Sequence, residues 1–230
     1  MRLALLLFAL LTVFGCTEPT AWAPDDKIDA MRYLHPGGGT VTLVTVSNVG
    51  SGSGAHSALI VNASERVIFD PAGSMKHESL AERGDVLYGA NPALVDSFID
   101  YHTRSEFYTQ VQTVDVSLQV AEDLLERIKS NGAVYQSFCA QSVSRLLRQP
   151  PGFENISATF FPGKLSESFT NRALVRAVTF YQLDDTNKRA NFFLFFSSPF
   201  PLYFLSSLFP SFFFFYLFFF FFFFFFFFFF

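Results

Sequence analysis

Cysteine and histidine are scarce in this 230-residue chain: it has two cysteines, Cys16 and Cys139, four histidines and a single tryptophan. Two cysteines cannot build the disulfide framework of a small secreted scaffold. No two histidines stand at the His-x-x-x-His spacing that puts both imidazoles on one helix face, so no helix-borne zinc site is written here. A zinc site assembled from His56, Asp70, His77 and His102 is set aside on the same ground. The glycine-rich run Gly50-Ser51-Gly52-Ser53-Gly54 is not followed by Lys-Ser or Lys-Thr, and it reads as a flexible loop, not a phosphate cradle. Basic runs are missing too. All but Arg2 of the 16 Lys and Arg, and all 20 Asp and Glu, fall between Thr17 and Ala190, which leaves that segment at −5. An acidic surface without a basic stripe argues against nucleic acid as a partner. No metal and no cofactor is expected.

What is present divides the chain into five parts. Arg2 followed by Leu3 to Leu11 makes a positive n-region and an apolar h-region too short to span a bilayer. With Val13-Phe14-Gly15-Cys16 behind it, residues 1–16 resemble a bacterial lipoprotein signal, although Phe14 departs from the usual lipobox. The resemblance implies lipidation of Cys16, a membrane partner through that anchor, and a place in the cell envelope. Thr17, not aspartate, follows the cysteine, which in such proteins permits sorting to the outer membrane, facing the periplasm. Several acyl chains hold stably, since each buried methylene contributes about 0.8 kcal/mol. Residues 17–39 are rich in Pro, Gly and Asp and read as a tether. Residues 40–169 form the domain, long enough to bury a core, and 170–190 receive no assignment. In 191–230, Phe192 to Phe230 holds only Phe, Leu, Ser and Pro apart from Tyr203 and Tyr216. Those four amino acids are specified by all-pyrimidine codons, so the tail reads as a translated T-rich tract and not as a membrane span.

Within the domain, Thr40 to Val46 alternates as a strand. His56 to Val61 and Arg66 to Asp70 form a hairpin about Asn62-Ala63-Ser64-Glu65, ended by Pro71 and Gly73. Ala72 to Asn91 reads as loop. Asn91-Pro92 predicts a helix start with Asn as cap; Phe107 to Val116 reads as a strand; Ser117 predicts the cap of a helix whose Leu118, Ala121, Leu125 and Ile128 share a face and which Asn131-Gly132 closes. A further helix begins near Ser137, read as its cap, and stops at Pro150-Pro151. The expected fold is α+β, a small antiparallel sheet packed by helices.

The chemistry rests on three residues. With Cys16 lipidated, Cys139 is the only thiol left, in the first turn of a helix whose positive end stabilises a thiolate. His56 at the head of the hairpin is a candidate base. Asp70 at the end of the second strand lies 14 residues on, within reach across a tight hairpin, as a candidate orienter of the imidazole. His77 and His102 read as surface residues and His35 as part of the tether.

The His-headed apolar strand, the second strand ending in a polar residue, and the later Cys139-Ala140-Gln141 at a helix start resemble the permuted NlpC/P60 superfamily of papain-like cysteine hydrolases, which includes lecithin-retinol-acyltransferase-like and YiiX-like proteins. The resemblance covers roughly Val41 to Leu147. It implies a circularly permuted papain-like core, which accounts for histidine preceding cysteine, with Cys139 as nucleophile, His56 as base and Asp70 as orienter. That family more often places His, Asn or Glu at the third position. The activity implied is acyl transfer on an amide or ester, of a cell-wall peptide or a lipid acyl group. The alternative is an unreactive envelope lipoprotein that serves as a binding or assembly module.

Overall fold

The strand Thr40–Asn48 (β1) is buried at seven consecutive positions, Val41 to Ser47, and only a strand covered on both faces can be so. The computed structural model describes residues 22–73, 75–171, 175–182 and 191–193. Cys16, the signal, the first residues of the expected tether and the tail beyond Phe193 lie outside the described residues.

An antiparallel sheet forms the centre, in the order β4-β5-β3-β2-β1-β6-β7-β8. It comprises β1, β2 (Gly54–Asn62), β3 (Arg66–Phe69), β4 (Ala81–Arg83), β5 (Val86–Tyr88), β6 (Phe107–Asp115) and β7 (Arg176–Phe180), with the three-residue β8 (Asn191–Phe193) on the edge. Five helices are described: α1 (Asp25–Met31), α2 (Pro92–His102), α3 (Leu118–Asn131), α4 (Cys139–Leu147) and α5 (Pro162–Thr170). The fold is α+β, with a sheet larger than the small one expected.

Side chains alternate across the strands and so belong to two cores. Leu43, Leu59, Val61 and Phe69 pack with Leu124, Leu125 and Ile128 of α3, Val143 and Leu147 of α4, and Leu165 and Phe169 of α5. On the opposite face Val44, Ala58, Ile60, Ile68 and Leu87 pack with Phe98 of α2. The helix caps act as the sequence predicts. Asn91 Oδ1 accepts from the Leu94 N–H at 2.9 Å, and Ser117 Oγ accepts from the Val120 N–H at 3.3 Å. Gly132, at φ +74°, follows α3 in a backbone conformation few residues but glycine adopt. Leu118 departs from the expected stripe: it is exposed, while Leu124 takes a place in the core.

Four stretches differ from the sequence reading. Residues 22–39 are not a free tether, because α1 buries Ile28 and the preceding chain pairs with the sheet. The Ala23 N–H donates to Glu82 O at 2.7 Å, and Arg83 reaches both Ala23 O and Asp25. This covers the edge strand β4, whose open backbone groups would otherwise face water. The stretch read as loop from Ala72 to Asn91 contains the β4–β5 hairpin. Its two central residues, Gly84 and Asp85, both have positive φ (+58° and +65°), the backbone of a type I′ turn. Asp85 holds the turn in place, its Oδ2 accepting from the N–H groups of Ala72 at 3.0 Å and Val134 at 2.7 Å. Within 170–190, β7 extends the sheet beside β6. Asn191–Phe193, assigned to the low-complexity tail, pairs with β7.

Candidate active site

β2 begins at an irregularity. β1 and β2 pair in regular register from Thr40↔Asn62 to Val46↔His56, and the next pair is Ser47↔Gly54. The extra residue bends the strand where His56 leaves it, as bulges do beside functional sites. The start of α5 lies against the same point: a Cβ placed on Gly54 would fall 2.5 Å from the Gly163 nitrogen, so only glycine allows the two segments this close.

The hairpin brings His56 and Asp70 together. Nε2 of His56 lies 2.7 Å from Asp70 Oδ1. Asp70 is 1 % exposed, and its Oδ2 accepts from the Met75 N–H at 3.2 Å. With Nε2 committed to the carboxylate, Nδ1 is the ring nitrogen left for the thiol. The His56 ring and the Cys139 thiol are near enough for each to favour the other's charged form.

Cys139 is the first residue of α4 and 6 % exposed. Ser137 is not the helix cap. It sits at φ +72°, Phe138 occupies the capping position, and no side chain caps this end. The chain enters the helix through a tight turn, the Phe138 N–H donating to Tyr135 O. The positive end of α4 is therefore left to the sulfur, and the backbone amides of Ser57 and Ala140 also favour its thiolate form.

These contacts set the charges. Burial alone would lower the His56 pKa, but the hydrogen bond to Asp70, the neighbouring Cys139 thiol and the negative charges of both outweigh it and raise it from 6.5 to about 9. Burial alone would raise the Cys139 pKa, yet His56 and the two backbone donors hold it below the ordinary thiol value. Asp70 is likewise held below the usual carboxylate range, burial being outweighed chiefly by the His56 hydrogen bond and charge. The arrangement favours a thiolate–imidazolium pair braced by a carboxylate, the state in which sulfur is nucleophilic.

His102 is not a surface residue. It ends α2 at 8 % exposure, and its ring stacks on that of His56 with centroids 5.4 Å apart and planes 7° apart. Helical periodicity could have found it, since Val95, Phe98, Ile99 and His102 recur at i, i+3, i+4 and i+7. His77 remains exposed, bonded to Ser79 at 2.7 Å. Ligand atoms of His56, Asp70 and His102 lie within 4.8 Å of one another, a donor set able to take a divalent cation. Asp70 Oδ1, however, already engages His56 Nε2, and His102 Nδ1 is engaged by Phe98 O. The geometry is that of a stack and a hydrogen bond.

An aromatic rim adjoins the head of α4. Phe138 precedes it and packs edge-on against Phe160 at 5.7 Å, and Phe161 and Tyr135 stand exposed on the same flanking segments. The chain matches no family model, no curated protein and no solved structure.

Proposed function

We propose that this protein is an envelope-anchored thiol hydrolase or acyltransferase that cleaves an amide or ester through Cys139, His56 and Asp70. The observation that carries the reading is the 2.7 Å hydrogen bond between Asp70 Oδ1 and His56 Nε2, with that braced imidazole and the Cys139 thiol each favouring the other's charged form at an uncapped helix start. A buried structural cysteine does not need a carboxylate-braced imidazole against it.

The Cys139 thiolate adds to the substrate carbonyl carbon, and the carbonyl electrons move to oxygen. The Cys139 backbone N–H at the head of α4 donates to that oxyanion. His56 gives its Nδ1 proton to the departing nitrogen or oxygen as the carbon–heteroatom bond breaks, which leaves a thioester on Cys139. His56, now neutral, takes a proton from water or an acceptor hydroxyl. The resulting attack releases the acyl group and regenerates the thiolate. Asp70 holds the ring tautomer and balances the imidazolium.

The order of His strand, Asp strand and Cys helix supports kinship with the permuted NlpC/P60 hydrolases and a permuted papain-like core. With Cys16 lipidated, the domain would face the periplasm from the outer membrane, where cell-wall peptides and lipid acyl groups are the substrates at hand. The exposed aromatic rim favours substrates with an apolar group beside the scissile bond.

Iodoacetamide alkylation of the Cys139 peptide across pH tests the reading. A midpoint well below the free-thiol value of about 8.5 supports it. A midpoint at or above that value overturns it and leaves a binding or assembly module. Incubation with envelope extract should also leave an acyl mass on Cys139 that Cys139→Ala and His56→Ala lack.

A further inference from the structure

We infer that His102 is a positioning residue for His56: its stacked ring fixes the plane in which His56 bridges Asp70 and Cys139. This rests on the thiol reading above. One edge of the His56 ring is held at Nε2 by Asp70, and the Cys139 thiol acts on the same ring. Edge contacts alone leave the ring free to tilt about the line that joins them, and the parallel face of His102 at 5.4 Å removes that freedom.

His102 is itself held in place. Its Nδ1 donates to Phe98 O at 2.8 Å, one helical turn back in α2. A carbonyl only accepts, so the neutral ring carries its proton on Nδ1. The Phe98 ring lies 4.4 Å away and the Tyr101 ring meets it edge-on at 5.1 Å. The charged groups that bear on it are His56, Asp70 and Arg104. Burial, and then the charges of His56 and Arg104, keep it below its ordinary pKa against the opposing pull of the Phe98 carbonyl and Asp70, so it meets the His56 imidazolium as a neutral aromatic face. A neutral face over a cation is attractive; a second cation would repel it.

Two substitutions in the full-length protein, kept in detergent, separate the ring from its hydrogen bond. His102→Phe keeps an aromatic face and loses the bond to Phe98 O; His102→Gln keeps a donor for that carbonyl and loses the face. The readout is the pH midpoint of Cys139 alkylation, which needs no substrate, with thermal melting run alongside. His102→Phe should label like the unsubstituted protein, and His102→Gln should move the midpoint up by about half to one pH unit. A Gln midpoint that stays put, or a Phe midpoint that shifts as far as Gln, overturns the inference. His102→Asn serves as a second ring-less variant should His102→Gln fail to melt cooperatively. The thiol reading fails separately: the unsubstituted protein then labels as a free thiol, which overturns both.

Discussion

The two faces of the sheet differ in what covers them. One lies under α3, α4 and α5, with Ile28 of α1 added, and carries the larger core; among the described residues the other lies under α2, with Met75 and Leu80 beside it, and carries a smaller cluster around Phe98. The site draws on both. Cys139 belongs to the three-helix face, whereas His102 comes from the single helix opposite, and His56 stands at the strand end where both can reach it. A reactive pair at such a seam is positioned by two independent packings, so a defect on one face should disturb stability and one on the other should disturb chemistry as well.

The largest effect tests the seam itself. His56→Ala should abolish turnover and carry the Cys139 alkylation midpoint to or above the free-thiol value, because burial, no longer opposed by an imidazole, disfavours the thiolate. Next come the two cores. Leu125→Ala, under the three-helix face, should cost about 2–5 kcal/mol in urea unfolding while leaving the alkylation midpoint of the folded fraction unchanged. Phe98→Ala, under α2, should cost about 3–5 kcal/mol and also raise the midpoint, because it removes the packing behind His102. Equal midpoints in the two variants would break the comparison.

The third prediction concerns protons. His56 has a raised folded pKa, so its stabilisation is complete below its unfolded value of about 6.5 and is lost as pH rises through about 9. Cys139 has a lowered folded pKa, so its stabilisation is complete above the unfolded value of about 8.5 and is lost as pH falls. Between about pH 6.5 and 8.5 the native pair binds one proton, on His56, and the unfolded chain also binds one, on the cysteine. Unfolding free energy should therefore be nearly flat across that window. In Cys139→Ala only the His56 contribution remains, and stability should fall with rising pH by roughly 1–2 kcal/mol. A slope in the unsubstituted protein matching that of Cys139→Ala would mean that the thiol is protonated in the native state. The smallest effects are expected at the caps: Asn91→Ala and Ser117→Ala should each cost about 1 kcal/mol by urea unfolding, one for each face of the sheet.

Much of this arrangement was legible where a local rule sufficed. The β2–β3 hairpin and the Asn91 and Ser117 caps follow from periodicity, turn residues and capping chemistry, and Cys139 does stand in a first helical turn, though without the Ser137 cap expected for it. The β4–β5 hairpin escapes the sequence reading because its strands are three residues long and the first carries Glu82 and Arg83, although Gly84-Asp85 is a two-residue turn signal. The inward face of His102 was missed because histidine suits either surface or core, and only the apolar register of α2 decides. Ser137 looked like a cap by residue type, yet its positive φ removes it from that role.

The sequence by itself determined the four central strands, three of the five described helices and the three residues whose chemistry is complementary, because these depend on side-chain period and on contacts a few residues apart. The 14-residue span from His56 to Asp70 is of this kind. Tertiary structure alone decided which elements meet. It brought α4 and α2 to the same end of β2 from opposite faces, set Cys139 and His102 about one imidazole, and turned a polar leader and a charged hairpin into cover for the sheet edge. Those juxtapositions join residues as much as 83 positions apart, His56 and Cys139, and are set by how whole faces pack.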